Sequence, residues 1–252
     1  MADLLLIDVG NGRTKLGLAT SEAILDHRDL ATERVSKDSL NEALDGWHFS
    51  RTVVSSVVPK VTKVLQDFFG DSMLALKHDT RLGIGIRYPR PETIGADRLA
   101  NAVAVASLYG APAIVVDFGT AVTFDIVDQN RCYAGGIIAP GLRLMTDYLH
   151  ERTALLPKVE LREPSSAIGK STEEAIRIGA CIGYRGMIRG LLAALQKDLN
   201  HPRELRIVAT GGDAEWISSG LPEIQAVDED LTLHGLRLVA NLHAPHPNHS
   251  SE

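Results

Sequence analysis

The chain is poor in cysteine and in aromatic side chains. Cys132 and Cys181 are its only cysteines, too few for a disulfide framework, so both are expected as reduced thiols of a cytoplasmic protein. Aromatic residues make up 5% of the sequence, the formal net charge is −6, and the basic residues are scattered. The stacking platforms and basic stripe of a nucleic-acid binder are thus missing. No apolar run approaches the ~20 residues that span a bilayer, and no basic leader precedes the apolar segment at Leu4. Neither a nucleic-acid nor a membrane partner is expected. The motifs Gly-x-x-x-x-Gly-Lys-Ser/Thr, Gly-x-Ser-x-Gly and His-Glu-x-x-His do not occur, which argues against a P-loop kinase, a serine hydrolase of that type and a zinc protease. The nine histidines do not stand at metal-ligand spacing with cysteine or acid.

What is present is an ordinary globular balance, 44% apolar and 23% charged over 252 residues. Apolar runs at 4–9, 14–19 and 51–58 read as strands, with a short one near 23–25. Residues 39–47 place Leu40, Ala43, Leu44 and Trp47 at helical spacing, and Pro59 opens a helix to about residue 69. Residues 81–92 hold Gly83, Gly85, Pro89 and Pro91 and read as loop with some extended structure. A helix is expected over 93–109, with Leu99, Ala102, Val103 and Ala106 on one face and Gly110 and Pro112 ending it. Strands follow at 113–117, 121–127, 131–138 and 205–209. Helices follow after Pro140, at 172–199 and at 231–242. Residues 244–252 read as a disordered tail.

Two segments carry related chemistry. The apolar run 4–9 ends in Asp8-Val9-Gly10-Asn11-Gly12-Arg13-Thr14-Lys15, and the run 113–118 ends in Asp117-Phe118-Gly119-Thr120. Each is a buried strand, a tight Asp-x-Gly turn and a second strand. Such a turn offers a carboxylate for magnesium and backbone N–H groups for phosphate oxygens. Thr120 adds a hydroxyl donor, with Thr14 a second candidate. Lys15 either reaches a phosphate or faces outward. An α/β fold of two related halves, 1–111 and 112–243, around one nucleotide is expected.

Between the turns stands Gly95-Ala96-Asp97-Arg98 at the head of a helix. An acid there complements the helix dipole, but Asp97 also has the chemistry to take a proton from an alcohol, while Arg98 forks onto a carboxylate or phosphate. Gly135-Gly136 and Thr210-Gly211-Gly212-Asp213 each accompany a strand and allow close approach of another segment or of a nucleoside.

Taken in order, these motifs resemble the type III pantothenate kinases of the acetate and sugar kinase/actin superfamily. The resemblance runs through Asp8-Val9-Gly10-Asn11, Pro91-Glu92-Thr93-Ile94-Gly95-Ala96-Asp97-Arg98, Asp117-Phe118-Gly119-Thr120-Ala121, Gly135-Gly136-Ile137-Ile138-Ala139-Pro140-Gly141, Gly169-Lys170-Ser171-Thr172 and Thr210-Gly211-Gly212. It implies a duplicated sugar kinase/actin-like (ribonuclease H-like) fold and ATP-dependent phosphorylation of pantothenate, the first step of coenzyme A synthesis. It further implies that residues 8–15 and Thr120 bind ATP, with Asp8 near magnesium. Asp97 would be the general base, and Tyr88, Gly95, Ala96, Asp97, Arg98 and Thr172 would hold pantothenate. Asp117 would bind potassium or ammonium, in a homodimer. Two alternatives stay open: a nucleotide-binding regulatory or accessory protein without turnover, and a kinase of this superfamily for another small alcohol.

One position departs from the resemblance. Gly12 stands where the family usually carries a threonine or serine. One neutral hydrogen bond is worth about 0.5–1.5 kcal/mol net, so Gly12→Thr is expected to tighten ATP by up to about tenfold, given a backbone φ below zero there. Titration of ATP against both proteins checks this. Unchanged affinity would mean that position 12 does not face the nucleotide.

Overall fold

The computed structural model describes residues 3–199 and 205–244. The chain divides into two compact units, Met1–Leu108 with Asp230–Glu252, and Tyr109–Glu229.

The first unit is built on strands β1 (Leu4–Val9), β2 (Arg13–Ala19), β3 (Ile24–Ala31), β4 (Arg51–Ser56) and β5 (Met73–Ala75), in the order β3-β2-β1-β4-β5. β1 runs antiparallel to β2 and parallel to β4. Its residues are apolar almost throughout because both faces of the sheet are covered. Leu5, Ile7 and Val9 pack with helices α1 (Lys37–Ala43) and α2 (Pro59–Phe69) through Leu40, Val61 and Leu65. Leu4 and Leu6 pack on the other side against Leu99 and Val103 of α3 (Ala96–Leu108), and against a helix from the far end of the chain. The short strand β6 (Gly85–Ile86) lies in the expected loop region. α1 begins earlier than the apolar spacing indicated, because Ser36 and Ser39 form a reciprocal cap.

The second unit repeats the plan. Strands β7 (Ala113–Phe118), β8 (Ala121–Val127), β9 (Cys132–Pro140), β10 (Arg206–Thr210) and β11 (Ala226–Val227) run in the order β11-β10-β7-β8-β9. The order 3-2-1-4-5 thus recurs as 9-8-7-10-11, with antiparallel and parallel pairs at matching places. Helix α4 (Leu142–Glu151) follows β9. α5 (Thr172–Ile178) runs into α6 (Tyr184–Leu199) through a π turn at Gly179–Gly183. The run Thr172–Leu199 is long and apolar enough, by length and composition, to cross a membrane, which no apolar run had been expected to approach. Its Tyr184, Ile188 and Leu192 are instead buried against Phe118, Phe124 and Ile207, as in a core helix. The short helix α7 (Ala214–Ser218) is fixed by Arg185, whose guanidinium donates to the Ile217 and Trp216 carbonyls and pairs with Glu163 at 2.7 Å.

The closing helix α8 (Leu231–Leu242) departs from the expected division. Residues 112–243 had been grouped together, yet α8 belongs to the first unit. Its Leu233, Leu236 and Val239 complete the cluster of Leu4, Leu6 and Val53, because β1 needs an apolar cover on that face. The expected disordered tail lies, from residue 245 on, outside the described residues.

α3 and α8 touch at Gly235, where an added Cβ would overlap the Ala100 carbonyl. A helical Gly→Ala change ordinarily gains about 1 kcal/mol, while overpacking a tight contact costs about 1–3 kcal/mol. Gly235→Ala is therefore expected to lower the denaturation midpoint in urea. A higher midpoint would show that the helices separate freely.

Candidate functional site

In the first unit, β1 presents Asp8 at its penultimate position, directly opposite Lys15 of β2 and Ser55 of β4. Residues opposite one another share a face. Leu6 and Val53, two residues earlier on their strands, pack toward α3 and α8, so Asp8, Lys15 and Ser55 project to that side. Lys15 is thus half-buried beside Asp8 rather than outward-facing. Thr14 lies on the opposite face. It is fully buried, and its hydroxyl meets Thr32 Oγ1 at 3.0 Å instead of facing the Asp8 side. Thr32, which the sequence did not single out, also donates to the Gly10 carbonyl at 2.7 Å and braces the turn from behind.

The turn itself closes through Gly10 N–H donating to the Arg13 carbonyl at 3.0 Å. Asn11, Gly12 and Arg13 are exposed, and Arg13 pairs with Asp29 at 3.1 Å. Gly10 and Gly12 are absent from the positive-φ glycines, so position 12 does not demand glycine for its backbone.

At the head of α3, the Asp97 Oδ1 accepts from the Arg98 N–H at 2.8 Å. An added Cβ on Gly95 would lie 2.5 Å from that oxygen, so the carboxylate folds back over Gly95 and would have to shift if a side chain stood there. Burial pushes the Asp97 carboxyl above the ordinary carboxylate range, against the opposing pull of Arg98. A raised pKa gives a more basic carboxylate, as proton acceptance from an alcohol requires. Ala96 is buried, Arg98 is half-buried, and Tyr88 is exposed on the preceding segment.

The second unit repeats the first arrangement. Asp117 is penultimate in β7 and stands opposite Thr123 of β8 and Thr210 of β10. Val9 pairs with Thr14 and Phe118 with Val122, so the turns hold residues 10–13 and 119–121, the second one residue shorter. Gly119 N–H donates to the Ala121 carbonyl at 3.2 Å, and Thr120 is exposed at the tip. Gly211 has φ +95°, and a Cβ there would come within 2.7 Å of Asp117 Oδ1 and of the Phe118 backbone. The paired glycines after β10 thus let that strand end close against the aspartate. Arg143 of α4 clamps Asp213 of the same turn at 3.0 Å, a contact for which the sequence offered no signal. Thr172 is exposed at the start of α5, after Ser171 accepts the Glu174 N–H as cap. It borders a cavity of about 410 Å³ with Met145, Leu149 and Ile176.

The duplicated α/β sheet is the sugar kinase/actin-like fold. The fold matches a polyphosphate/ATP-glucomannokinase from Arthrobacter with a TM-score of 0.52 at 12% identity, over 97% of this chain and 100% of that one. A type III pantothenate kinase family model matches residues 4–194, and the chain belongs to that family. It is 50% identical over 240 residues to a type III pantothenate kinase of Akkermansia muciniphila, covering 94% of this chain and 98% of the relative. It is 44% identical to one from Methylacidiphilum infernorum, covering 95% and 88%.

An acid with a raised folded-state pKa binds its proton more tightly folded than unfolded. Asp97 therefore lowers stability as pH climbs from the ordinary carboxylate range through the raised value. Asp97→Asn removes that cost and keeps an Oδ1 for the Arg98 N–H. The variant is expected to match wild type at low pH and to exceed it in melting temperature at neutral pH. Melts from about pH 3 to about pH 8 check this. A variant less stable at neutral pH would make the carboxylate a structural group.

Proposed function

We propose that the chain transfers the γ-phosphoryl group of ATP to the terminal hydroxyl of pantothenate, the entry step of coenzyme A synthesis. The observation that carries this reading is Asp97, a basic carboxylate held at the head of α3 within Gly95-Ala96-Asp97-Arg98, in a chain of the pantothenate kinase family. Asp97 orients the hydroxyl and takes its proton. Arg98, Tyr88 and Thr172 bind pantothenate, with the guanidinium suited to its carboxylate. The turn 10–13, exposed at Asn11, Gly12 and Arg13, and Thr120 hold phosphate oxygens through N–H and hydroxyl donors. A kinase of this class uses ATP with a divalent metal. Asp8 is a hard oxygen donor suited to magnesium, with Lys15 as a cation beside it. Such a metal offsets the triphosphate charge. Asp117 holds potassium or ammonium, a role supported by its place beside the Gly211 backbone. The enzyme works in the cytoplasm.

We further read it as a homodimer. Leu144, Met145, Tyr148 and Leu149 of α4 are exposed, as are Leu155, 90% accessible, and Ile168, 70% accessible. Gly179, Gly183, Gly186 and Gly190 form an exposed row along the α5–α6 helix, which permits close helix approach. A second copy covers this face, and Leu149→Glu is expected to yield monomers in sedimentation velocity.

ADP release in ATP, magnesium and pantothenate tests the reaction. Turnover is expected to be low in sodium and to rise in potassium or ammonium, and Asp117→Ala is expected to lose that response. Asp97→Asn is expected to lose about 100- to 10,000-fold in turnover. Nucleotide binding without pantothenate-dependent ADP release would favour a regulatory nucleotide-binding protein.

A further inference from the structure

We propose that Ser55 is a third polar contact of the metal–triphosphate group, beside Asp8 and Lys15. The proposal rests on the nucleotide-binding part of the reading above.

Ser55 is fully buried near the end of β4, and among the described residues its Oγ has no hydrogen-bond partner. Its neighbour Ser56 shows the ordinary alternative. Ser56 projects to the other face, where its Oγ accepts from the Thr62 hydroxyl at 2.8 Å and from the Val58 N–H at 3.3 Å. A buried hydroxyl with no partner keeps its desolvation cost and gains nothing in return. Val53 and Val54 show that this strand accepts apolar residues with ease. A hydroxyl at position 55 therefore serves something other than packing.

Register says what that is. Lys15, Asp8 and Ser55 stand in one row across β2, β1 and β4, a cation, a carboxylate and a hydroxyl. Side chains so placed have Cβ atoms about 5 Å apart. Magnesium held by few carboxylates retains several waters, and a hydroxyl beside the carboxylate suits one of those waters or a phosphate oxygen. The second unit repeats the pattern independently. Asp117 stands between Thr123 and Thr210, and Thr210 is also buried. In both halves the strand parallel to the aspartate's own carries a hydroxyl opposite it.

Ser55→Ala tests the proposal, because it removes the hydroxyl and little else. Calorimetric titration with magnesium and a non-hydrolysable ATP analogue is expected to show affinity weaker by about tenfold or more, as for a bond to a charged group. Urea denaturation without nucleotide is expected to show equal or greater stability, since a partnerless polar atom is gone. The KM for ATP is expected to rise while that for pantothenate holds at saturating ATP. Wild-type affinity in Ser55→Ala would overturn the proposal, as would lost stability with affinity unchanged. A wild-type protein that binds the analogue yet leaves pantothenate unphosphorylated would overturn the substrate assignment and not the role of Ser55.

Discussion

Each half of the molecule depends on one constraint, a carboxylate at the penultimate position of a central strand that is otherwise apolar on both faces. Asp8 follows Leu4, Leu5, Leu6 and Ile7, all fully buried, and Asp117 follows the equally buried Ala113, Ile114, Val115 and Val116. Such a strand needs helices on both sides of its sheet, which is why the first unit has α1 and α2 on one face and α3 and α8 on the other. The same strand brings the carboxylate to its own C-terminal end, where the chain turns back through glycine. Position and chemistry are thus set by one pattern, and the duplication of the pattern duplicates the sheet order.

That pattern was legible because strong periodicity and punctuation coincide in it. Pro59 marks the start of α2, and the apolar spacing of 231–242 gives α8. Other elements left no such trace. β5 and β11 are too short to show a period, and β3 is an exposed strand of alternating charge whose length the apolar residues understate. The π turn at Gly179–Gly183 is silent in a run that reads as one helix. Periodicity found the apolar face of α8 but could not say which sheet it covers, since that depends on a cluster more than a hundred residues away in sequence.

The site divides in the same way. Asp8, Asp97 and Asp117 stood out because acids next to glycine at element ends are locally unusual. Thr14 and Lys15 were ambiguous for a physical reason. β2 lies between β1 and β3 and is covered on both faces, so strand parity separates the two side chains without saying which face holds the chemistry. The sheet register places Lys15 on the face of Asp8 and ties Thr14 to Thr32 on the other. Ser55 and Arg143 become visible only through pairing across strands or between a helix and a distant turn. The raised basicity of Asp97 likewise comes from burial at the start of α3, which composition alone does not convey.

The return of α8 to the first unit has a consequence for synthesis. The ribosome delivers β1 through α3 first, but α3 covers Leu4, Leu6 and Val53 only in part, and the rest of their cover arrives with residues 231–242. Until then the nascent chain exposes the part of that apolar face that α8 covers, while the whole second unit emerges and is able to close on its own core. The first half to be made is therefore the last to be finished. A chain cut short before Leu231 would carry every motif proposed for nucleotide and substrate binding and still leave that half incomplete, a substrate for chaperones or proteases rather than an enzyme.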